Sequence, residues 1–310
     1  MYIEKRKAKS GIKYYLVYSY REQGEVRKLR KYLGKNLSKE QLLKAKKRAK
    51  EELMPVLEEL KTEIFNFSLT KNQIKRLNLY ENKIKISHLE NINWERFTRE
   101  FVYNTNAIEG STVRLNEVKR LLKKERKPED NEEIETNNVA KAVEFIRKTK
   151  EDLSLNFIKK IHKVCFENTK DFAGQFRNVN VVIRNSKEDI VHTGVPFEEV
   201  EDYLKDMIMW YKKNKEKFKP IVLAAIIHNQ FEHIHPFQDG NGRVGRLLLN
   251  FILLKNKYPP ININLNDRSK YYNVLQQYSK KQNIKLTIEF LTKQYRKTLK
   301  RVSTKRNKSR

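Results

Sequence analysis

The rhythm of apolar positions changes near residue 36. Before it, Ile12–Tyr20 is a run of β-branched and aromatic residues, and Val26–Gly34 is a second. The polar segment Arg21–Glu25 between them reads as a turn, and Gly11 as the opening of an earlier one. A sheet of two or three strands ending near Gly34 is predicted. From Ser38 onward, Leu42, Leu43, Ala45, Ala49, Leu53, Val56, Leu57 and Leu60 recur at helical spacing. Ser38-Lys39-Glu40-Gln41 fits a capping box at that helix's start, and Pro55 is a candidate kink. Helical periodicity continues to about residue 170, broken at Lys127-Pro128-Glu129-Asp130. Val179–Ile183 and Ile190–Pro196 then predict a β-hairpin, after which helices run from about 198 to 297 with a break at Pro259-Pro260. The fold class is mainly α.

Composition sharpens this picture. With 9 glycines and 7 prolines in 310 residues, a loop-rich all-β chain is excluded, while 15 Phe and 15 Tyr can fill a core. The net charge of +29 is concentrated at the ends. Residues 1–50 hold 17 basic and 4 acidic side chains, and residues 293–310 hold 9 basic and none acidic. Such asymmetry points to a polyanionic partner, nucleic acid first and an anionic membrane surface second, against the plainer reading of lysine-rich solvated faces. The single cysteine, Cys165, excludes an internal disulfide. The chain starts without an apolar leader, and the runs Ile221–Ile227 and Leu247–Leu254 fall short of the ~20 residues that span a bilayer. A soluble, cytoplasmic protein is the expectation.

The chemistry is concentrated in His228–Asn250, HNQFEHIHPFQDGNGRVGRLLLN. An apolar helix leads into a histidine-bearing loop, an acid, Gly240-Asn241-Gly242, and then Arg243 and Arg246 on a second apolar helix. A glycine-rich turn at a helix N-terminus leaves backbone N–H groups pointing outward, where the helix dipole adds positive charge: an anion site. Arg243 and Arg246, at i and i+3, add two guanidinium groups to one face. Asp239 supplies a hard oxygen for Mg²⁺. His235, four residues earlier, is placed to act as acid or base. Phosphoryl or nucleotidyl chemistry on Mg²⁺–nucleotide fits these parts. The formal match of Gly240–Gly245 to G-x-G-x-x-G follows a helix rather than a strand, against a dinucleotide fold. A zinc site of His228, His233 and His235 lacks the usual further ligands. His228, within the helix, reads best as a hydrogen-bonded core residue.

The segment His235-Pro236-Phe237-Gln238-Asp239-Gly240-Asn241-Gly242-Arg243-Val244-Gly245-Arg246 resembles the H-x-F-x-[D/E]-G-N-G-R-x-x-R signature of the Fic family at every specified position. The resemblance implies a helical bundle with a β-hairpin flap, Arg177–Pro196, over the site. It implies transfer of AMP from ATP to a hydroxyl side chain of a target protein. His235 would be the general base, Phe237 a loop anchor, and Asp239 the Mg²⁺ ligand. Gly240, Asn241 (backbone and side chain) and Gly242 would cradle the phosphates, and Arg243 and Arg246 would hold the β- and γ-phosphates. Tyr271 and Tyr272, in a segment resembling the family's later helix, are candidates for the adenine pocket. Thr105-Asn106-Ala107-Ile108-Glu109-Gly110 resembles the family's inhibitory motif, with Glu109 paired to Arg246 against ATP's γ-phosphate. The reverse reaction, de-AMPylation, uses much the same residues.

Four segments result: a small basic β-sheet domain (1–36), a helical linker or arm (37–98), the Fic catalytic domain with its inhibitory helix (99–297), and a basic tail (298–310). Residues 1–35 also resemble the strand–turn–strand piece at the front of some transposase-like and integrase-like proteins, where it contacts DNA. A nucleic-acid-binding regulator acting through residues 1–50 and 293–310 is therefore the rival class. The arm 37–98 is a candidate homo-oligomer contact.

Overall fold

A computed structural model describes residues 2–8, 11–22, 25–60, 71–80, 82, 89–184, 190–281 and 283–303. The chain forms two compact units, Met1–Asn72 and Gln73–Arg310. The center of the predicted turn (23–24), the end of the basic tail (304–310), the tip of the hairpin (185–189) and parts of the arm (61–70, 81, 83–88) lie outside the described residues.

In the first unit, β1 (Tyr2–Ala8), β2 (Gly11–Glu22) and β3 (Glu25–Lys35) form an antiparallel sheet in the order β1-β2-β3. The third strand of the expected range is thus present, at the N-terminus. Helix α1 (Lys39–Leu60) covers one face, packing Ala49 and Leu53 on Leu16, with Tyr18, Leu29 and Leu33 alongside. Its capping box is formed: the Ser38 N–H donates to Gln41 Oε1 at 3.0 Å, and the Gln41 N–H to Ser38 Oγ at 3.3 Å. The helix runs on through Pro55 rather than ending there.

The second unit is helical apart from one hairpin among the described residues. Helix α2 (Lys71–Asn78) leads in, and Asn78 donates to the Lys217 carbonyl at 3.0 Å. There follow α3 (Trp94–Ile108), α4 (Leu115–Leu122), α5 (Asn131–Lys148) and α6 (Leu155–Phe166). Local chemistry sets their starts: Asn93, Asp130 and Ser154 each cap with a side-chain oxygen accepting from the backbone three residues on. The hairpin, β4 (Val182–Arg184) with β5 (Ile190–Thr193), is shorter than the predicted strands. The remaining helices are α7 (Val200–Asn214), α8 (Pro220–Ile234), α9 (Asn241–Lys255), α10 (Arg268–Lys281) and α11 (Ile284–Val302).

Helices α8 and α9 are buried nearly all round, their apolar runs Ile221–Ile227 and Leu247–Leu249 flanked by buried polar residues such as His228, Asn229 and Asn250. They pack on each other and are surrounded by α3, α5, α6, α7, α10 and α11. The six-residue segment 235–240 between them is therefore held on both sides by core helices. The unit's two ends meet where the Asn93 N–H donates to the Val302 carbonyl at 2.8 Å. No helix among the described residues is long and apolar enough to cross a membrane.

Candidate active site

Helix α8 ends at His235, which takes a left-handed conformation (φ 53°) and still donates its N–H to the Phe231 carbonyl at 2.9 Å. The reversal turns the chain into the loop 236–240. Phe237 is fully buried and stacks on His162 of α6 with ring centroids 3.9 Å apart, so it does anchor the loop. Gly240, at φ 81°, opens α9; a Cβ there would run into the Phe166 ring, which makes glycine obligatory.

Asn241 departs from the expectation for its side chain. Its Nδ2 donates to the Phe237 carbonyl at 2.8 Å and its Oδ1 accepts the Phe237 N–H at 2.8 Å. Both polar atoms are spent closing the loop, so only its backbone N–H, at the start of α9, is left to an anion.

Arg243 and Arg246 separate. Arg243 forms an ion pair with Glu135 of α5, lies over the Phe166 ring at 4.3 Å, and approaches Asp239 at 3.8 Å. Asp239 Oδ1 accepts the Gly240 N–H at 2.6 Å, and Oδ2 is 3.2 Å from Lys170 Nζ. Burial pushes the Asp239 carboxyl up, but Arg243 and Lys170 outweigh it and hold the group below its ordinary value. It is ionised at neutral pH and open to solvent, as a hard-cation ligand must be.

Arg246, 2% exposed, is clasped by α3. Its Nε donates to Thr105 Oγ1 at 2.7 Å, and its Nη2 to the Thr105 carbonyl at 3.0 Å and to Glu109 Oε1 at 2.7 Å. Burial alone would lower this guanidinium's pKa, yet Glu109 raises it further still. Glu109 reaches it across Gly242, where a Cβ would overlap the carboxylate. Gly110 follows at φ 100° and lets the chain leave α3 at once.

Tyr271 is buried, its hydroxyl 2.9 Å from His228 Nε2 and 3.5 Å from Arg246 Nη1. Tyr272 donates to the Ile108 carbonyl at 3.1 Å. The two tyrosines thus join α10 to the arginine and to the end of α3. Burial holds His228 neutral, its pKa down to about 3, in keeping with a core role.

Several residues at the site carried no sequence signal. Arg177 donates through Nε to the His235 carbonyl at 2.7 Å and through its other nitrogens to the carbonyls of Val179, Val195 and Ile234, tying the hairpin's base to the histidine. His162 accepts the Gly174 N–H on Nδ1 at 2.8 Å, so Nε2 carries the proton facing the Asp239 carbonyl at 3.1 Å. Glu135 and Lys170 are the partners of Arg243 and Asp239.

Glu232 is another. Its Oε1 is buried with no hydrogen-bond partner among the described residues, and it fills the space over Gly245 where a Cβ would stand. Burial pushes its pKa up to about 8; Arg246 opposes this and Glu109 adds to it. A carboxyl raised in the folded state stabilises fully below its unfolded value of 4.5, and that stability is lost as pH rises through about 8. Glu232→Gln, which stays neutral, is therefore expected to gain about 2 kcal/mol over the wild type at pH 6 and about 5 kcal/mol at pH 9. Urea unfolding across that range measures it, and a gain independent of pH would refute the assignment.

Residues 152–253 match the model of the Fic/DOC family. A protein adenylyltransferase Fic of Nematostella vectensis is 30% identical over 187 residues, 57% of this chain and 42% of the relative. The protein adenylyltransferase fic-1 of Caenorhabditis elegans is 31% identical over 182 residues, 56% of this chain and 35% of the relative. The matches thus span less than half the length of these curated relatives. Among solved structures, a Fic domain containing signaling protein from Bacteroides thetaiotaomicron superposes with a TM-score of 0.62 at 25% identity, over 73% of this chain and 94% of that one. The C. elegans Fic-1 fragment shares the fold, with a TM-score of 0.60 at 23% identity over 86% and 77% of the two chains. A complete H-x-F-x-D-G-N-G-R-x-x-R loop between two core helices, a hairpin tied to its histidine and these likenesses agree: residues 152–253 of the chain form a domain of the Fic/DOC type.

Proposed function

We propose that this chain is a self-inhibited protein adenylyltransferase. The observation that carries the reading is the Glu109–Arg246 pair at 2.7 Å, at the rim of an anion-binding helix N-terminus that also carries Asp239. A carboxylate bound to a buried arginine occupies the place of a phosphate. Displacing it leaves the N–H groups of Asn241 and Gly242 and the Arg246 guanidinium to receive the β- and γ-phosphates of ATP. Arg243, already paired with Glu135, acts on the phosphates from the side of Asp239.

The exposed Asp239 carboxylate, kept ionised by its neighbours, fits Mg²⁺, which when bound neutralises charge on the α- and β-phosphates. His235 takes the proton of a Ser, Thr or Tyr hydroxyl of the target protein. Its Nδ1 is buried, so Nε2 is the nitrogen available to that hydroxyl. The hydroxyl oxygen forms a bond to the α-phosphorus as the bond to the β-phosphate bridging oxygen breaks, and pyrophosphate leaves against the positive groups of α9. Arg177 keeps the His235 carbonyl, and with it the left-handed turn, in place. An extended target segment adds to the hairpin's edge, main-chain bonds setting its register. Tyr271, buried behind Arg246, positions the arginine; Tyr272 is the better placed of the two to border the adenine.

Intact-mass analysis of host-lysate proteins incubated with the chain and Mg²⁺–ATP tests the proposal. One AMP added per modified site, with pyrophosphate released, supports it; a different transferred group, or none even after Glu109→Gly, refutes it. The reverse reaction has one observation in its favour, a Glu109 carboxylate held where it can orient water. AMP-modified protein incubated without ATP would lose AMP if that activity dominates.

A further inference from the structure

The face of the N-terminal sheet turned away from α1 has a composition and order of its own. Strand register places Tyr2, Val17 and Arg30 in one cross-strand row, Glu4, Tyr15 and Tyr32 in the next, and Arg6, Lys13 and Lys35 in the third, with Lys28 beyond. The apolar residues that meet α1, Leu16, Tyr18, Leu29 and Leu33, belong to the opposite face. Among the described residues, five basic side chains therefore share this face with a single acid, Glu4, around a fully buried Val17. That acid is itself committed: it accepts from Arg6 Nε at 2.6 Å and from Arg30 Nε at 3.1 Å. Its effect is to fix two guanidinium groups side by side, lowering the entropy they would lose on binding a planar or anionic partner.

We infer that this face is a docking surface for B-form duplex DNA, entering its major groove. Charge complementarity selects a polyanion. Dimensions select the duplex. β2 and β3 run for 12 and 11 residues, or roughly 35–40 Å at about 3.4 Å per residue. Three strands at about 4.8 Å spacing are roughly 10 Å across, which suits a groove about 12 Å wide that admits β-ribbons. Paired arginines match guanine edges and phosphates. A single-stranded partner would need free aromatic faces on which bases stack. Here Tyr15 packs on Tyr32 at 5.4 Å and carries the Arg6 guanidinium at 5.3 Å, while Tyr2 and Tyr32 keep exposed rings, so a single strand is the rival that the experiment below separates. Duplex RNA is disfavoured because its major groove is too deep and narrow for side chains. This surface is separate from the nucleotide chemistry proposed above and does not depend on it.

The test uses the full chain and a fluorescent DNA duplex of about 20 base pairs, with anisotropy followed across salt concentration. Each phosphate contact contributes about 0.9 to the slope of log affinity against log salt. The triple variant Lys13→Gln/Lys28→Gln/Arg30→Gln is expected to lower that slope by about 2 to 3 and to weaken binding at least tenfold at about 0.1 M salt. The control Lys44→Gln/Lys46→Gln/Lys47→Gln removes the same charge from exposed positions of α1 and should shift the slope by less than about one. Both variants change exposed side chains, and melting temperatures equal to the wild type confirm their folding. Equal losses in the two variants, binding of single-stranded DNA or duplex RNA as tight as that of the DNA duplex, or no binding at all would overturn the inference.

Discussion

Replacing His235 should remove AMP transfer while leaving nucleotide binding in place. The expected loss is about 10²- to 10⁴-fold in kcat, the range of a positioned general base. The choice of substitution matters, because His235 sits at φ 53°. Alanine is strained there, whereas asparagine tolerates the left-handed region and brings no base of suitable pKa. His235→Asn should therefore match His235→Ala in lost activity and exceed it in thermal stability. The comparison is cleanest in a Glu109→Gly background, where the phosphate site is open and binding of an ATP analogue can be measured by calorimetry. Unchanged binding with lost transfer places His235 in chemistry. Transfer within tenfold of the parent would remove it from the role of base.

The parts of the site that the sequence made legible are those whose physics is local. A glycine turn before an apolar helix is an anion site wherever it occurs, and the capping residue Ser38 acts within three positions. Glu109 was legible only through its likeness to a motif, since its partner Arg246 lies 137 residues away. Long-range partners without such a likeness left no trace. Glu135 meets Arg243 across 108 residues and Arg177 meets the His235 carbonyl across 58, and neither is distinguishable in sequence from other surface charges. The Asn241 side chain shows the opposite failure: its place in the motif suggested a ligand contact, but the buried Phe237 amide and carbonyl needed partners, and the asparagine supplies both. In the sheet, β1 escaped explicit assignment because Glu4-Lys5-Arg6-Lys7 shows no apolar alternation. Its strand is held by pairing with β2, and both of its faces tolerate charge.

Glu109→Gly is expected to raise AMP transfer by about 10- to 100-fold at limiting ATP, because one charge-assisted hydrogen bond to Arg246 is worth about 1.5–3 kcal/mol. The gain depends on the arginine staying where it is once the glutamate is gone. Thr105 provides for this: its hydroxyl and carbonyl hold Nε and Nη2 independently of Glu109. The variant also opens the space above Gly242 that the carboxylate now fills. There is a stability cost, since a guanidinium 2% exposed loses its counter-ion. ATP supplies that counter-ion through its γ-phosphate, so activity and stability are linked. Without nucleotide, Glu109→Gly should melt below the wild type. With saturating Mg²⁺–ATP the gap should close or reverse, whereas ADP, lacking the γ-phosphate, should recover less. Glu109→Gln, which can still hydrogen-bond Arg246 but carries no charge, should fall between the two in activity. Equal labelling by the wild type and Glu109→Gly, together with equal ATP-induced stabilisation, would show that Glu109 is a structural partner of Arg246 and does not restrain the site.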